Sequence, residues 1–347
     1  MLNSKIGGQW KAFSSDRVYE TVKYIALGLN SLGVGSGDHV ALYADSSAYW
    51  TMADLAIVHC GAADIPIYVT QAVPQVDFIL KDSDAKAVFV GSSKLYERAR
   101  EAISDSACKF IVCISDGKFG DNAITWDELV EKGRKLESES PGRFDELRKS
   151  VDEGTLATVI YTSGTTGEPK GVMLSHRNLV SNALDCASLF AFNPGKDVAL
   201  SYLPPSHVFE RMLLYLYLYV GNCIYYAESI EALPQNLIEV KPHLMTTVPR
   251  MLEKAFEKAQ HVVQSLPWYK RFVFKWAIDL ALKYNPEKKM PMGYRIKRSF
   301  ASALVYKTLR HAFGGVLHRL PRALKWYIQS DHPLFCLIAS LQRATNC

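Results

Sequence analysis

The chain has 347 residues, of which 48% are hydrophobic and 22% charged, with a net charge of +5. That is ordinary globular composition, long enough for a large core or two subdomains, and the charge does not demand a nucleic-acid partner; with no DNA- or RNA-binding motif, none is expected. Seven scattered cysteines without a CxxC pair read as reduced thiols, and neither a charged-then-apolar leader nor an apolar run longer than about 212–220 is present, so a cytoplasmic, non-spanning protein is expected.

Residues 1–13 are short and polar, and no element is assigned to them. Ser15 can cap a helix through Leu32, because Val18, Val22, Ile25, Leu29 and Leu32 share one face and Gly33 follows as a stop. Strands at 39–43, 65–68, 87–90 and 110–114 then alternate with helices at 46–61, 74–81 and 92–103. The alternation predicts an α/β protein, doubly wound, with parallel strands and helices on both faces of the sheet. Residues 115–152 are charged, with a helix near 126–135, and read as a peripheral excursion.

The second half repeats the rhythm: strands at 197–203, 223–226 and 244–248, helices at 208–220 and 231–240, and a long helical region opened by Pro249. From 254 to 310 basic and aromatic residues interleave, as in Trp268, Tyr269, Lys270, Arg271, Phe272 and Lys275. An amphipathic helix pair with solvated Lys and Arg explains this, and so does a patch for an anionic membrane surface or for ligand phosphates.

The stretch 161–178 organises the rest. A β-branched apolar strand at 155–160 leads into a run dominated by Gly, Ser and Thr, with Lys170 at its end, a return strand at 172–174, and Ser175 as the N-cap of a helix to about Phe190. Such a run packs little of its own but offers N–H groups, hydroxyls and free φ angles to phosphate oxygens. A plain hairpin turn is the alternative. A Walker A loop is excluded by position: its second glycine would fall at Pro169, and Gly171 stands where a Ser or Thr is required.

The string closely resembles the signature loop of the adenylate-forming enzymes, which include acyl-CoA synthetases, luciferases and adenylation domains. The resemblance implies that Thr162, Ser163, Gly164, Thr165, Thr166, Gly167 and Lys170 hold ATP phosphates, with Thr165 beside Mg²⁺. Residues 204–211, Pro-Pro-Ser-His-Val-Phe-Glu-Arg, are similar to a core motif of the long-chain group. By that likeness His207 is catalytic at the junction of acyl carboxylate and adenylate, and Phe209 walls an acyl pocket. Thr247-Val-Pro-Arg250 also resembles this group; Arg250 is either a surface charge or a fork donor to the triphosphate. Ile65-Pro-Ile-Tyr68 and residues 75–83 favour the same subgroup.

The family would bring the adenylation fold over 1–315, fatty acid, ATP and CoA as substrates, Mg²⁺, and acyl-AMP as intermediate. The likeness stops at Gly315, and the expected Gly-Gly-Ala strand, Tyr-Gly-x-Thr-Glu motif and C-terminal lid with its lysine are not found. A catalytically incomplete chain is therefore expected, with 316–347 an out-of-frame, poorly packed tail. Three functions stay open: a ligase cut short, a non-catalytic nucleotide- or acyl-binding remnant, and an adenylating enzyme for another carboxylate.

Overall fold

The computed structural model describes residues 1–117, 119–120, 123–163, 169–283 and 290–307. Gly164, Thr165, Thr166 and Gly167 of the expected phosphate loop, and the tail 316–347, lie outside the described residues. Two units emerge, Met1–Gly195 with Tyr202–Ala227, and Lys196–Ser201 with Glu228–Cys347.

The first unit opens with a hairpin where the sequence reading placed no element. β1 (Leu2–Ile6) and β2 (Gln9–Phe13) pair antiparallel across Gly7 and Gly8, whose φ angles of 57° and 79° form a two-residue turn with the twist such strands need. α1 (Ser15–Ser31) follows, its first turn capped by Ser14, whose Oγ accepts the Arg17 N–H at 3.2 Å, one residue before the expected cap. Then come β3 (His39–Tyr43), α2 (Ala48–His59), β4 (Ala63–Pro66), α3 (Val73–Asp82), β5 (Ala87–Val90), α4 (Ser93–Ser104) and β6 (Phe110–Cys113). Ser47 and Ser92 cap α2 and α4 in the same way as Ser14 caps α1.

β7 (Ala123–Thr125), α5 (Trp126–Glu139) and α6 (Arg143–Lys149) occupy the stretch read as peripheral. They are integral: β7 extends the sheet beside β6, and α5 crosses α1 at close range. β8 (Leu156–Ser163), β9 (Pro169–Ser175) and α7 (His176–Leu189) complete a seven-stranded sheet of order β7-β6-β5-β3-β4-β8-β9. Every neighbouring pair in it is parallel except β8 with β9.

Strand periodicity explains the two-sided burial. Ala41, Tyr43, Val88 and Val90 join Val76, Ile79, Leu95 and Ala99 of α3 and α4 in one core. The alternating residues Val40, Leu42, Ala87 and Phe89 are equally buried, and Phe89 meets Trp126 of α5 with ring centroids 6.2 Å apart. The doubly wound arrangement expected from the alternation is thus observed.

β10 (Val198–Ser201) belongs to the second unit, whereas α8 (Val208–Tyr219) and β11 (Cys223–Tyr226) return to the first. β11 runs parallel to β1, with Leu2 opposite Ile224, which gives the N-terminal hairpin its place. In the second unit β10 pairs in parallel with β12 (Leu244–Met245), and α9 (Leu233–Val240) precedes β12. α10 (Pro249–Gln264), α11 (Trp268–Leu282) and α12 (Met292–Ala301) follow, the last continuing as a π-helical turn, Ser302–Tyr306. Ala277, Ile278, Leu280 and Ala281 of α11 make a small core with Ala301, Val305 and Tyr306, and Tyr306 Oη donates to the Ala277 carbonyl at 2.6 Å. Among the described residues no helix is long and apolar enough to cross a membrane. Of the seven cysteines, the five in described segments are free thiols.

Candidate functional site

The β8–β9 hairpin carries the Gly/Ser/Thr run at its tip. Its register sets Tyr161 opposite Gly171, Thr162 opposite Lys170 and Ser163 opposite Pro169, so the two strands deliver Thr162 and Lys170 as a cross-strand pair at the base of the loop. Both side chains are exposed. Gly171 has a steric reason: a Cβ there would stand 2.7 Å from Val159 Cγ1 and 3.2 Å from Tyr161 Cζ. Tyr161 is in turn fixed by its hydroxyl, which donates to Asp82 Oδ2 at 2.6 Å, and by an edge contact with Phe78. A serine at 171, as a Walker loop would need, does not fit under that ring.

His207 lies in a turn closed by its own N–H on the Pro204 carbonyl at 2.9 Å. It is the N-cap of α8, and its Nδ1 accepts the Phe209 N–H at 3.2 Å. In the neutral imidazole that bond leaves Nε2 as the N–H donor. The ring is exposed, and the α8 N-terminus adds partial positive charge beside it, an environment that favours an anionic group. The neighbouring Ser206 is buried, and its Oγ donates to the carbonyl of Ile67, just past the carboxyl end of β4.

β4 and β8 are adjacent and parallel, with Asp64 opposite Thr158. Their carboxyl ends therefore share one edge of the sheet. The His207 turn, held at the end of β4, and the Thr162–Lys170 pair, at the end of β8, are brought to that edge together, the edge at which open α/β sheets receive ligands.

A buried ion cluster locks this arrangement, and the sequence reading quoted its central residue without giving it a role. Arg211, one turn into α8, is fully buried. Its Nη1 donates to Thr158 Oγ1 at 2.6 Å, its Nη2 to Asp54 Oδ1, and its Nε to Tyr215 Oη at 3.2 Å, which itself donates to Asp54 Oδ2 at 2.8 Å. Thr158 Oγ1 donates onward to the Asp64 carbonyl at 2.7 Å. The Asp64 carboxylate lies 2.9 Å from Arg211 Nη1 as a charge contact, but neither of its oxygens accepts a hydrogen bond. Burial opposes the charge on Arg211, yet Asp54, Tyr215 and Asp64 outweigh it and its pKa is raised. Burial raises the Asp64 carboxyl well above the usual carboxylate range; Arg211 opposes the rise and Asp54 adds to it. One guanidinium thus ties α8, α2, β4 and β8 together directly beneath the His207 turn. An arginine four residues after a histidine, at the start of an apolar helix, was the available signal.

Arg250 stands exposed in the first turn of α10, in the second unit. Thr165, the proposed Mg²⁺ neighbour, is outside the described residues, and among the described residues no group of three or more His, Cys, Asp or Glu gathers as a metal site.

An α/β body that brings a Gly/Ser/Thr-rich hairpin and a histidine turn to one sheet edge fits a ligand-binding class, and comparison with known proteins gives the family. The family model described as AMP-binding enzyme matches residues 3–314. A long-chain-fatty-acid–CoA ligase of Xenopus laevis, ACSBG2, is 30% identical over 94% of the chain and 44% of its own length. FadD15 of Mycobacterium bovis, a long-chain-fatty-acid–CoA ligase, is 31% identical over 89% of the chain and 51% of its own length. Among solved structures, a long-chain-fatty-acid–CoA ligase of Archaeoglobus fulgidus, FadD1, superposes with a TM-score of 0.59 at 25% identity, over 72% of this chain and 48% of that one. The chain belongs to the AMP-binding enzyme family, and it spans about half the length of the curated relatives it matches.

Proposed function

We propose that this chain is the nucleotide- and acyl-binding body of an ATP-dependent fatty acid–CoA ligase. The overall reaction would join a fatty carboxylate to the α-phosphate of ATP, releasing pyrophosphate, after which the CoA thiol would displace AMP to give the thioester. Lys170, with the Thr162, Thr165 and Thr166 hydroxyls and the N–H groups of Ser163, Gly164 and Gly167, would hold the β- and γ-phosphates. His207, its Nδ1 engaged by Phe209, would donate from Nε2 to a carboxylate oxygen and hold it toward the α-phosphate. Arg250 would add a fork to the triphosphate. Mg²⁺ would offset phosphate charge beside Thr165.

The observation that carries this reading is the register of β8 and β9, which puts Lys170 directly opposite Thr162 at the carboxyl edge shared with the His207 turn. The names of the relatives support fatty acid over an aryl or amino acid. The test is a calorimetric titration of the chain with MgATP. Lys170→Ala removes one charge-assisted phosphate contact, worth about 1.5–3 kcal/mol, and is expected to weaken binding about 10- to 100-fold without moving the unfolding midpoint. Unchanged affinity in that variant overturns the assignment.

A further inference from the structure

At the amino end of β8, away from the Thr162–Lys170 end, the first unit holds a cavity of about 280 Å³ that the proposed reaction does not use. Ala157, the second residue of β8, forms part of its wall, about 16 Å along the strand from Thr162. The rest comes from the ends of α2 and α6, the start of α7, and Tyr215 of α8. Leu55, Val58, Val151, Ala157 and Leu179 make the lining mainly apolar. Tyr215 joins it to the ion lock, because its hydroxyl is shared between Arg211 and Asp54.

The polar lining selects the ligand. It contains His59, His176 and Arg148 but no Asp or Glu. His176 Nε2 is closed to solvent and has no hydrogen-bond partner among the described residues, a cost that a bound polar group would remove. His59 Nδ1 lies 2.7 Å from the Leu55 carbonyl, which only accepts, so in the neutral ring the proton sits on Nδ1 and Nε2 is bare. Burial holds both imidazoles below the usual histidine value. Arg148 deepens this at His59, where the Leu55 carbonyl and Asp54 oppose it; His59 and Arg211 deepen it at His176, where Asp54 and Asp152 oppose it. Arg148 stands exposed at the rim, 3.4 Å from Asp145. A cationic guest would meet Arg148, and a purely apolar one would leave His176 Nε2 unsatisfied. A carboxylate gains Arg148 and draws a proton onto an imidazole. The volume is about twice the ~150 Å³ that houses benzene, which suits a compact apolar body and not a long acyl chain.

We propose that this cavity is a second binding site, for a small carboxylate with a compact apolar body, held by His59, His176 and Arg148. The reading is independent of the nucleotide site. Calorimetric titration of the whole chain with 2-naphthoate tests it, with 2-naphthamide as the neutral counterpart. The acid should bind about tenfold tighter than the amide or better. At pH about 7.5 it should take up close to one proton, read from the heats in two buffers of different ionisation enthalpy, because a carboxylate beside an imidazole raises its pKa. Val180→Glu and, separately, Arg148→Glu set a negative charge at the exposed mouth. Each should weaken 2-naphthoate about tenfold while leaving 2-naphthamide binding, MgATP affinity and the unfolding midpoint unchanged. Both positions are solvent-facing, so either variant leaves the fold able to report. Equal affinity for acid and amide, no binding of the acid, or binding without proton uptake overturns the proposal. So does binding that survives both rim variants but is lost in His207→Ala, which would place the probe at the carboxyl edge instead.

Discussion

Arg211→Ala is expected to cost about 3–5 kcal/mol of stability, read as a fall in the urea midpoint, because it leaves the buried Asp54 and Asp64 without the guanidinium that faces them both. The size comes from orphaning the carboxylates, not from the intrinsic worth of the pair. Replacing the whole cluster, Arg211→Met with Asp54→Leu and Asp64→Leu, should therefore recover most of the loss. Arg211→Lys keeps the charge but loses the fork to Thr158, Asp54 and Tyr215, and should fall between the two. A loss below about 1 kcal/mol in Arg211→Ala contradicts the network as the anchor of α8. The same cluster has a pH signature. Asp64 is raised above its unfolded value of 3.8, so the stability it contributes is full below that pH and lost as pH rises through the folded value. Asp64→Asn has nothing to titrate there, and its midpoint should gain on that of the parent as pH rises.

Gly133→Ala should lower stability by about 3 kcal/mol or more, although alanine is the better helix former by about 1 kcal/mol. A Cβ at Gly133 would overlap the Tyr24 carbonyl oxygen and lie 2.9 Å from Tyr24 Cα, and one at Gly28 would overlap the Leu129 carbonyl and lie 2.9 Å from its Cδ1. The crossing of α1 and α5 is set by backbone against backbone, so no side-chain rotation relieves the clash; the helices must part. Gly142→Ala is a different case: its φ of 91° is strained for alanine, but no atom stands within 4 Å, so its cost should be smaller, about 1 kcal/mol. A Gly133→Ala midpoint equal to that of the parent contradicts the close crossing.

The helices and strands of the first unit were legible because each hydrophobic period was bounded by its own punctuation: Ser47 and Ser92 as caps, Gly33 as a stop, and short β-branched runs between them. The N-terminal hairpin was passed over for lack of an apolar run, since β2 exposes most of its residues; yet Gly7-Gly8 was a hairpin signal, and burial of Leu2, Asn3 and Ser4 came only with the distant β11. α5 looked peripheral because most of its surface is charged. Its docking depends on two glycines, Gly28 and Gly133, which lie far apart in sequence and carry no hydrophobic signal of their own. Lys170 and His207 were marked by motif chemistry. Arg211 was in the quoted motif, but the carboxylates that explain it, Asp54 and Asp64, lie more than a hundred residues away and meet it only through the sheet. Local pattern marked the elements and the two ends of the candidate site; the lock between those elements is tertiary.

The central claim, that the β8–β9 hairpin receives the nucleotide phosphates, is tested most directly by hydrogen exchange of the whole chain with and without saturating MgATP. Peptides covering 161–175 should exchange several-fold more slowly with nucleotide, as N–H groups at the hairpin tip become bonded to phosphate and the Thr162–Lys170 end of the ladder is held shut. The Lys170→Ala variant should lose that protection at the same nucleotide concentration. Nucleotide binding with no change in exchange over 161–175, and protection elsewhere instead, would contradict the account.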